Sequence, residues 1–217
     1  MNDQTFIETN PAALEAFLSY CHKRNYPNRK IIIQPGDDAE LMYYIIQGSV
    51  TVSSEDEEGR EIVLGYLNAG EFLGEMGLFM RPDKRYVTVR AKEKVEIAEV
   101  GYHRLKTLLE NELAPYKADI FYLIGLQLSN RLLTTRRKVS RLAFMDVSGR
   151  IARTLLDLCQ EPDAMTHPDG MQIRITRQEL SRIAGCSREM AGRVMKKLEE
   201  DGVITMSGKT IVVIGAR

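Results

Sequence analysis

Residues 173–198 read IRITRQELSRIAGCSREMAGRVMKKL, and the order of caps and turn residues there leaves little room for anything but two short helices joined by a tight turn. Thr176 and Glu179 have the T-x-x-E spacing of a capping box, which starts a helix at about Arg177. Leu180, Ile183 and Ala184 give that helix one apolar face. Gly185 supplies the residue best suited to a sharp inter-helical turn. Ser187 caps a second helix, which Met190, Ala191, Val194 and Leu198 hold to a core. Arg188, Glu189 and Arg193 fall on the opposite face, near the start of the second helix. An amphipathic pair with merely solvated charges would need no such agreement of cap, turn and cap. The residue types also suit base edges: Arg forks onto guanine O6 and N7, and Glu accepts from the cytosine amino group. The pattern predicts a helix-turn-helix that reads double-stranded DNA in the major groove.

Two β-branched runs follow, 203–206 and 210–214, split by Ser207-Gly208-Lys209, and they predict a β-hairpin wing. The chain's net charge is zero, but residues 129–217 hold 16 Lys and Arg against 10 Asp and Glu, while residues 1–128 hold 14 against 20. A basic C-terminal part on an acidic N-terminal part fits a DNA reader joined to a segment with another task. Three scattered cysteines without C-x-x-C spacing suggest neither a disulfide framework nor a zinc site, and fit a reducing cytoplasm. The N-terminal segment has no apolar h-region, and no run approaches the roughly 18 apolar residues of a spanning helix. The expectation is a cytoplasmic protein with no membrane partner and no metal.

Upstream, Asn10-Pro11 opens a short helix with Leu14, Phe17, Leu18 and Cys21 at helical spacing. Short β-rich runs then recur at 31–34, 41–46, 49–53, 61–67, 87–91 and 95–100, a cadence that predicts an antiparallel sandwich or roll. A helix around 102–110 precedes a long helical pattern from Pro115 to about Phe144, apolar nearly all round in its middle. One side can rest on the roll. The other, through Phe121, Ile124, Leu128 and Thr135, predicts a seam with a second copy, making a homodimer. Asp146 to Gly149 marks a boundary, and a helix over 150–159 and a surface loop over 161–170 follow. The expected division is a sensor over 1–114, a dimerisation helix over 115–145 and a DNA-binding domain over 146–217.

Within the roll, Gly74 and Gly77 bracket Glu75, and a loop runs on to Arg85. Such glycines let backbone N–H groups close on an anion, Arg85 can fork onto a phosphate, and Glu75 can accept from a ribose hydroxyl. A cupin-like metalloenzyme would need histidine ligands, and 28–100 contains none.

Over nearly its whole length the chain resembles the bacterial cyclic AMP receptor protein (catabolite activator) family. The carriers are YYIIQGSV (43–50), GYLNAGEFLGEMGLF (65–79), VRAK (89–92), LAFMDVSGRIA (142–152), DAMTHPDGMQIRITRQE (163–179), GCSREMAGR (185–193) and GKTIVV (208–213). The resemblance implies an α+β protein: an N-terminal antiparallel β-roll of the cyclic-nucleotide-binding type, a long dimerisation helix and a C-terminal winged helix-turn-helix. It implies cyclic AMP as ligand, with Gly74, Glu75, Arg85 and Thr135 as contacts. Two positions depart: Tyr86 stands where the family has a short phosphate donor, and Arg136 where it often has Ser. A regulator answering to another ligand, such as cyclic di-GMP, or to none, stays open. Arg188, Glu189 and Arg193 match the base readers of a TGTGA half-site. Thr176, Arg177, Gln178, Ser187 and Lys209 complete the residues expected at the DNA. Thr166, His167, Asp169 and Gly170 match a loop that touches RNA polymerase.

Overall fold

The computed structural model describes residues 10–80, 83–161 and 163–216; the first nine residues of the N-terminal segment, and Pro162 of the expected surface loop, lie outside them. The chain opens with α1 (Pro11–Ser19), whose cap Asn10 accepts from Ala12 N at 3.1 Å. There follow β1 (His22–Tyr26), β2 (Ile31–Ile33), β3 (Leu41–Gln47), β4 (Ser49–Glu55), β5 (Glu61–Asn68), β6 (Phe72–Leu73) and the short α2 (Met76–Met80). Next come β7 (Thr88–Ala91), β8 (Val95–Gly101), α3 (Tyr102–Glu110), a single 3-10 turn over Ala114–Tyr116, and α4 (Lys117–Phe144). The C-terminal part runs α5 (Val147–Leu158), β9 (Met165–His167), β10 (Gly170–Arg174), α6 (Arg177–Ala184), α7 (Arg188–Glu200), β11 (Ile204–Ser207) and β12 (Thr210–Ile214).

The chain divides into two compact units, one of residues up to 54 with 64–134, the other of 55–63 with 135 onward. Two antiparallel sheets, ordered β1-β8-β3-β6 and β2-β7-β4-β5, form the roll, all of it in the first unit but the end of β4 at Glu55 and the start of β5 at 61–63. Ile33, Ile45, Val50, Leu67, Val89 and Ile97 fill one core. A second gathers Phe17, Met42, Phe72, Leu105, Ile120 and Ile124 where α1, α3 and α4 cover a sheet face. All six β-rich runs became strands. Two further strands lack the pattern: β1 reads HKRNY with four exposed residues and exists because β8 pairs along its whole length, and β6 is a two-residue pairing on β3. An exposed edge strand shows no buried face, and two residues, though both are buried in β6, are too few to set a period-two pattern.

The second unit is built round Ile151, Leu155, Ile173, Leu180, Ala184, Ala191, Val194 and Ile211, under a sheet ordered β11-β12-β10-β9. Both predicted caps form: Thr176 Oγ1 accepts from Glu179 N at 3.1 Å and Ser187 Oγ from Met190 N at 3.2 Å. Gly185 takes the left-handed conformation (φ +63°) that ends α6. The 161–170 loop is more regular than expected, because Met165–His167 pairs with Gly170–Gln172 as a hairpin. The interruption at 146–149 is shorter, since Asp146 is itself a cap, accepting from Gly149 N at 2.8 Å.

The expected seam on α4 needs one correction. Ile124 is wholly enclosed in the protomer's own core, beside Ile120, and is not free to meet a second chain. The helix shows the roll Ile120, Ile124, Gln127 and Arg131. One residue round lies a 4-3-4-3 stripe of Phe121, Gly125, Leu128, Leu132, Thr135, Val139 and Leu142. Leu132 is 70% exposed and Val139 59%. Phe121 and Leu128 are partly covered by the core, and Gly125 has open space before it. Gly125 has no side chain and so carries no apolar signal, which is why the expectation put Ile124 in its place. Among the described residues, no helix is long and apolar enough to cross a membrane.

Candidate functional site

Gly74, Glu75 and Arg85, between β6 and β7, lie in the first unit and form the cassette that is the candidate nucleotide site. Gly74 sits at φ +78°, and a Cβ there would come within 2.9 Å of both Arg85 Nη1 and the Leu41 carbonyl oxygen. Glycine is therefore required twice over, for the backbone sign and for the close approach. Glu75 and Arg85 are both buried, at 4% and 9% exposure. Charges so enclosed need partners, and both have them inside the protein. Arg85 donates from Nη1 to Tyr102 Oη at 3.2 Å and from Nη2 to the Leu41 carbonyl, with its guanidinium between the rings of Tyr43 and Tyr102. Tyr102 Oη donates in turn to the Gly74 carbonyl at 2.6 Å. Burial pushes the Tyr102 phenol above its usual range, against the pull of Arg85, so the hydroxyl stays protonated and serves both bonds.

Glu75 accepts from Arg131 Nη1 at 2.8 Å, and Arg131 Nη2 donates to the Phe72 carbonyl and stands 3.6 Å from Glu71. One turn earlier on α4, Gln127 accepts from Phe72 N and donates to the Gly70 carbonyl, each at 2.8 Å. Sequence reading missed this pair. The signal was present: Gln127 and Arg131 are polar residues four apart on an otherwise apolar helix, which places them on one face. Tyr86, which stands where the family has a short phosphate donor, is 76% exposed. The group that occupies Arg85 is Tyr102. A groove of about 1080 Å³ alongside is lined by Gly77, Phe79, Tyr102, His103, Lys106 and Phe121 among others, but not by Glu75 or Arg85.

Gly77 offers a test of how tightly this corner is built. A Cβ at Gly77 would lie 2.2 Å from the Tyr102 ring. Gly77→Ala must displace that ring and with it the bonds to Gly74 and Arg85, an overpacking cost of about 1–3 kcal/mol. Urea unfolding should register that loss; an unchanged midpoint would contradict the close packing.

Thr135 and Arg136 are exposed on α4 and belong to the second unit, and the cassette contacts above all lie within the first. The candidate DNA interface is also in the second unit. On α7, Ala191, Val194 and Met195 are buried, which turns Arg188, Glu189 and Arg193 to solvent on its first two turns. Arg177, Gln178 and Ser187 are exposed nearby, Thr176 is half-buried as the cap of α6, and Lys209 stands exposed at the tip of the wing between β11 and β12. Thr166 and Asp169 are exposed at the β9–β10 turn, where Asp169 N donates to His167 Nδ1 at 3.3 Å. Gly170 has a packing reason of its own, because a Cβ there would fall 2.0 Å from the Val213 carbonyl oxygen. Burial pushes the Cys21 thiol up to about 12, which leaves it protonated and unreactive at neutral pH. Among the described residues, no three His, Cys, Asp or Glu side chains gather as a metal site.

Comparison with known proteins matches residues 23–112 to the cyclic nucleotide-binding domain and residues 149–215 to the Crp-like helix-turn-helix domain. The CRP-like protein Clp of Xanthomonas euvesicatoria pv. vesicatoria is 53% identical over 211 residues, covering 97% of this chain and 92% of its own. A solved structure from Xanthomonas campestris, described as the c-di-GMP responsive global regulator CLP, is 52% identical with a TM-score of 0.92, covering 95% of this chain and 100% of that one. TTHA1359, a CRP/FNR-family transcriptional regulator of Thermus thermophilus, shares the fold at a TM-score of 0.71 and 23% identity, over 89% of this chain and 93% of its own.

Proposed function

The chain belongs to the CRP-like family of transcription regulators, and from that premise we propose that it is a two-fold dimer that reads a palindrome through α7 and answers to a cyclic dinucleotide of the cyclic di-GMP kind. It is a regulator, not an enzyme. The observation that carries DNA reading is the exposure of Arg188, Glu189 and Arg193 together on the first turns of a helix whose other face is buried. That is the part of a recognition helix that enters the major groove. The proposed target is a pair of TGTGA-type half-sites in double-stranded DNA, with Arg177 and Lys209 on phosphates. RNA polymerase, met through Thr166, His167, Asp169 and Gly170, and a cytoplasmic location belong to the same reading.

Arg188→Ala tests the readout on single-base variants of such a palindrome. Loss of one bidentate guanine contact removes about 1–3 kcal/mol of discrimination at one symmetric pair of positions. The other positions should keep their preferences. Equal weakening on every variant would mean that Arg188 only positions the protein.

For the ligand, cyclic di-GMP replaces the cyclic AMP expected from resemblance. Two things support it: the relative described as responsive to that dinucleotide, and the prior commitment of Glu75 to Arg131 and of Arg85 to Tyr102 and Leu41. A mononucleotide that uses Glu75 and Arg85 must first displace those partners, so its affinity is reduced by the work of opening the cassette. The deciding measurement is calorimetric titration with cyclic di-GMP, cyclic AMP and cyclic GMP in parallel. Saturable heat with cyclic di-GMP at lower concentration than with either mononucleotide is expected; tighter binding of cyclic AMP would reverse the assignment.

A further inference from the structure

We infer that Arg150, which touches neither DNA nor ligand in the reading above, is the positioning residue that fixes the reading helices to the end of α4. Its guanidinium joins two segments far apart in sequence. Nε donates to the Ala184 carbonyl at 2.8 Å and Nη2 to the Gly185 carbonyl at 3.2 Å, while Nη1 donates to the Met145 carbonyl at 3.0 Å. Ala184 and Gly185 end α6, and α7 begins three residues after Gly185. Met145 directly follows α4, in the two-residue link to α5. One side chain therefore holds the helix-turn-helix corner on one edge of its fork and the α4–α5 link on the other.

The chemistry suits Arg alone. Carbonyls at a helix C-terminus lack intrahelical donors and favour a positive charge. Arg is always charged and spreads five donors over a rigid plane, whereas a Lys ammonium is a single point that cannot serve two separated segments at once. Independent packing marks the same junction. A Cβ on Gly185 would come within 3.1 Å of Leu142 Cδ2 from the last turn of α4, and within 3.5 Å of Ile62 Cδ1 from β5. Arg141, also in that last turn, is ion-paired with Asp157 of α5, and Arg182 of α6 with Glu61 of β5 at 3.0 Å. The direction of α4 thus reaches α7 through fixed contacts, and Arg150 is the one that grips both sides of the link.

The consequence concerns geometry, not base recognition, and it rests on the dimeric DNA-reading function proposed above. If α4 is the dimer axis, the reach from α4 to α7 sets the distance between two half-sites, about one helical turn of DNA apart. Arg150→Lys and Arg150→Gln should loosen that reach. The test is binding of the full-length protein to TGTGA-type palindromes whose centre is shortened or lengthened by one or two base pairs. Because a displaced reading helix forfeits base contacts, the unmutated protein should prefer its own spacing by about tenfold or more. Both variants should bind all spacings within about threefold of one another, with single-base preferences inside each half-site unchanged. Retention of the full spacing preference by the variants would overturn the inference. So would equal weakening at every spacing, or failure of both variants to fold, since either would leave Arg150 with a purely structural role. An unmutated protein that bound no palindrome at all would instead remove the functional reading on which the inference stands.

Discussion

Leu132→Asp is expected to give a folded monomer that has lost specific DNA binding. Leu132 is 70% exposed within the protomer, so the change touches none of its core, and the helix-propensity cost of Asp on an open face is about 0.7 kcal/mol at most. In a dimer the same side chain lies mid-stripe between Leu128 and Thr135, and two carboxylates would face each other across an apolar seam. A palindrome needs both reading heads, and one head alone falls back toward non-specific affinity, a loss of at least about a thousandfold. Sedimentation equilibrium and anisotropy on labelled palindrome check the two halves of this expectation. A variant that stays dimeric at micromolar concentration would move the seam elsewhere.

The second large effect is expected at Arg131. Arg131→Met removes the partner of Glu75, whose side chain is only 6% exposed, and leaves a carboxylate enclosed beside Phe72 and α2. Breaking an enclosed ion pair from one side costs about 3–5 kcal/mol, whereas removing both charges costs far less. The double variant Arg131→Met, Glu75→Gln should therefore unfold at higher urea than Arg131→Met alone. Additive losses would show that the two side chains do not depend on each other. Glu75→Gln alone should cost less than Arg131→Met, because Glu71, 3.6 Å from Arg131, keeps one charge near the arginine. The same pair bears on ligand response: whatever takes Glu75 from Arg131 also frees the α4 side chain that grips the Phe72 carbonyl.

Much of the C-terminal unit was legible because its signals are local. Thr176, Gly185 and Ser187 act on backbone groups within four residues of themselves, so their spacing dictates two helices and a turn whatever surrounds them. The same holds for Asn10 at α1, and the six strands of the roll were legible as short β-rich runs split by turn residues. The types and order of Arg188, Glu189 and Arg193 likewise point at base edges before any fold is known. Beyond that reach the sequence is silent. HKRNY becomes β1 only because β8 offers an edge, and Ile124 turns inward, leaving Gly125 in the stripe, because it packs with Ile120, Phe72 and Leu105 in the core. Glu75 and Arg85 were found as candidate anchors, yet nothing local says that Arg131, 56 residues on, and Tyr102 already hold them. Nor does any spacing reveal that Arg150 ties Met145 to Ala184 and Gly185. Caps, turns and periodicities bind neighbours in the chain and are written in it; which enclosed charge meets which partner depends on chain segments brought together by burial, and only the tertiary structure decides that.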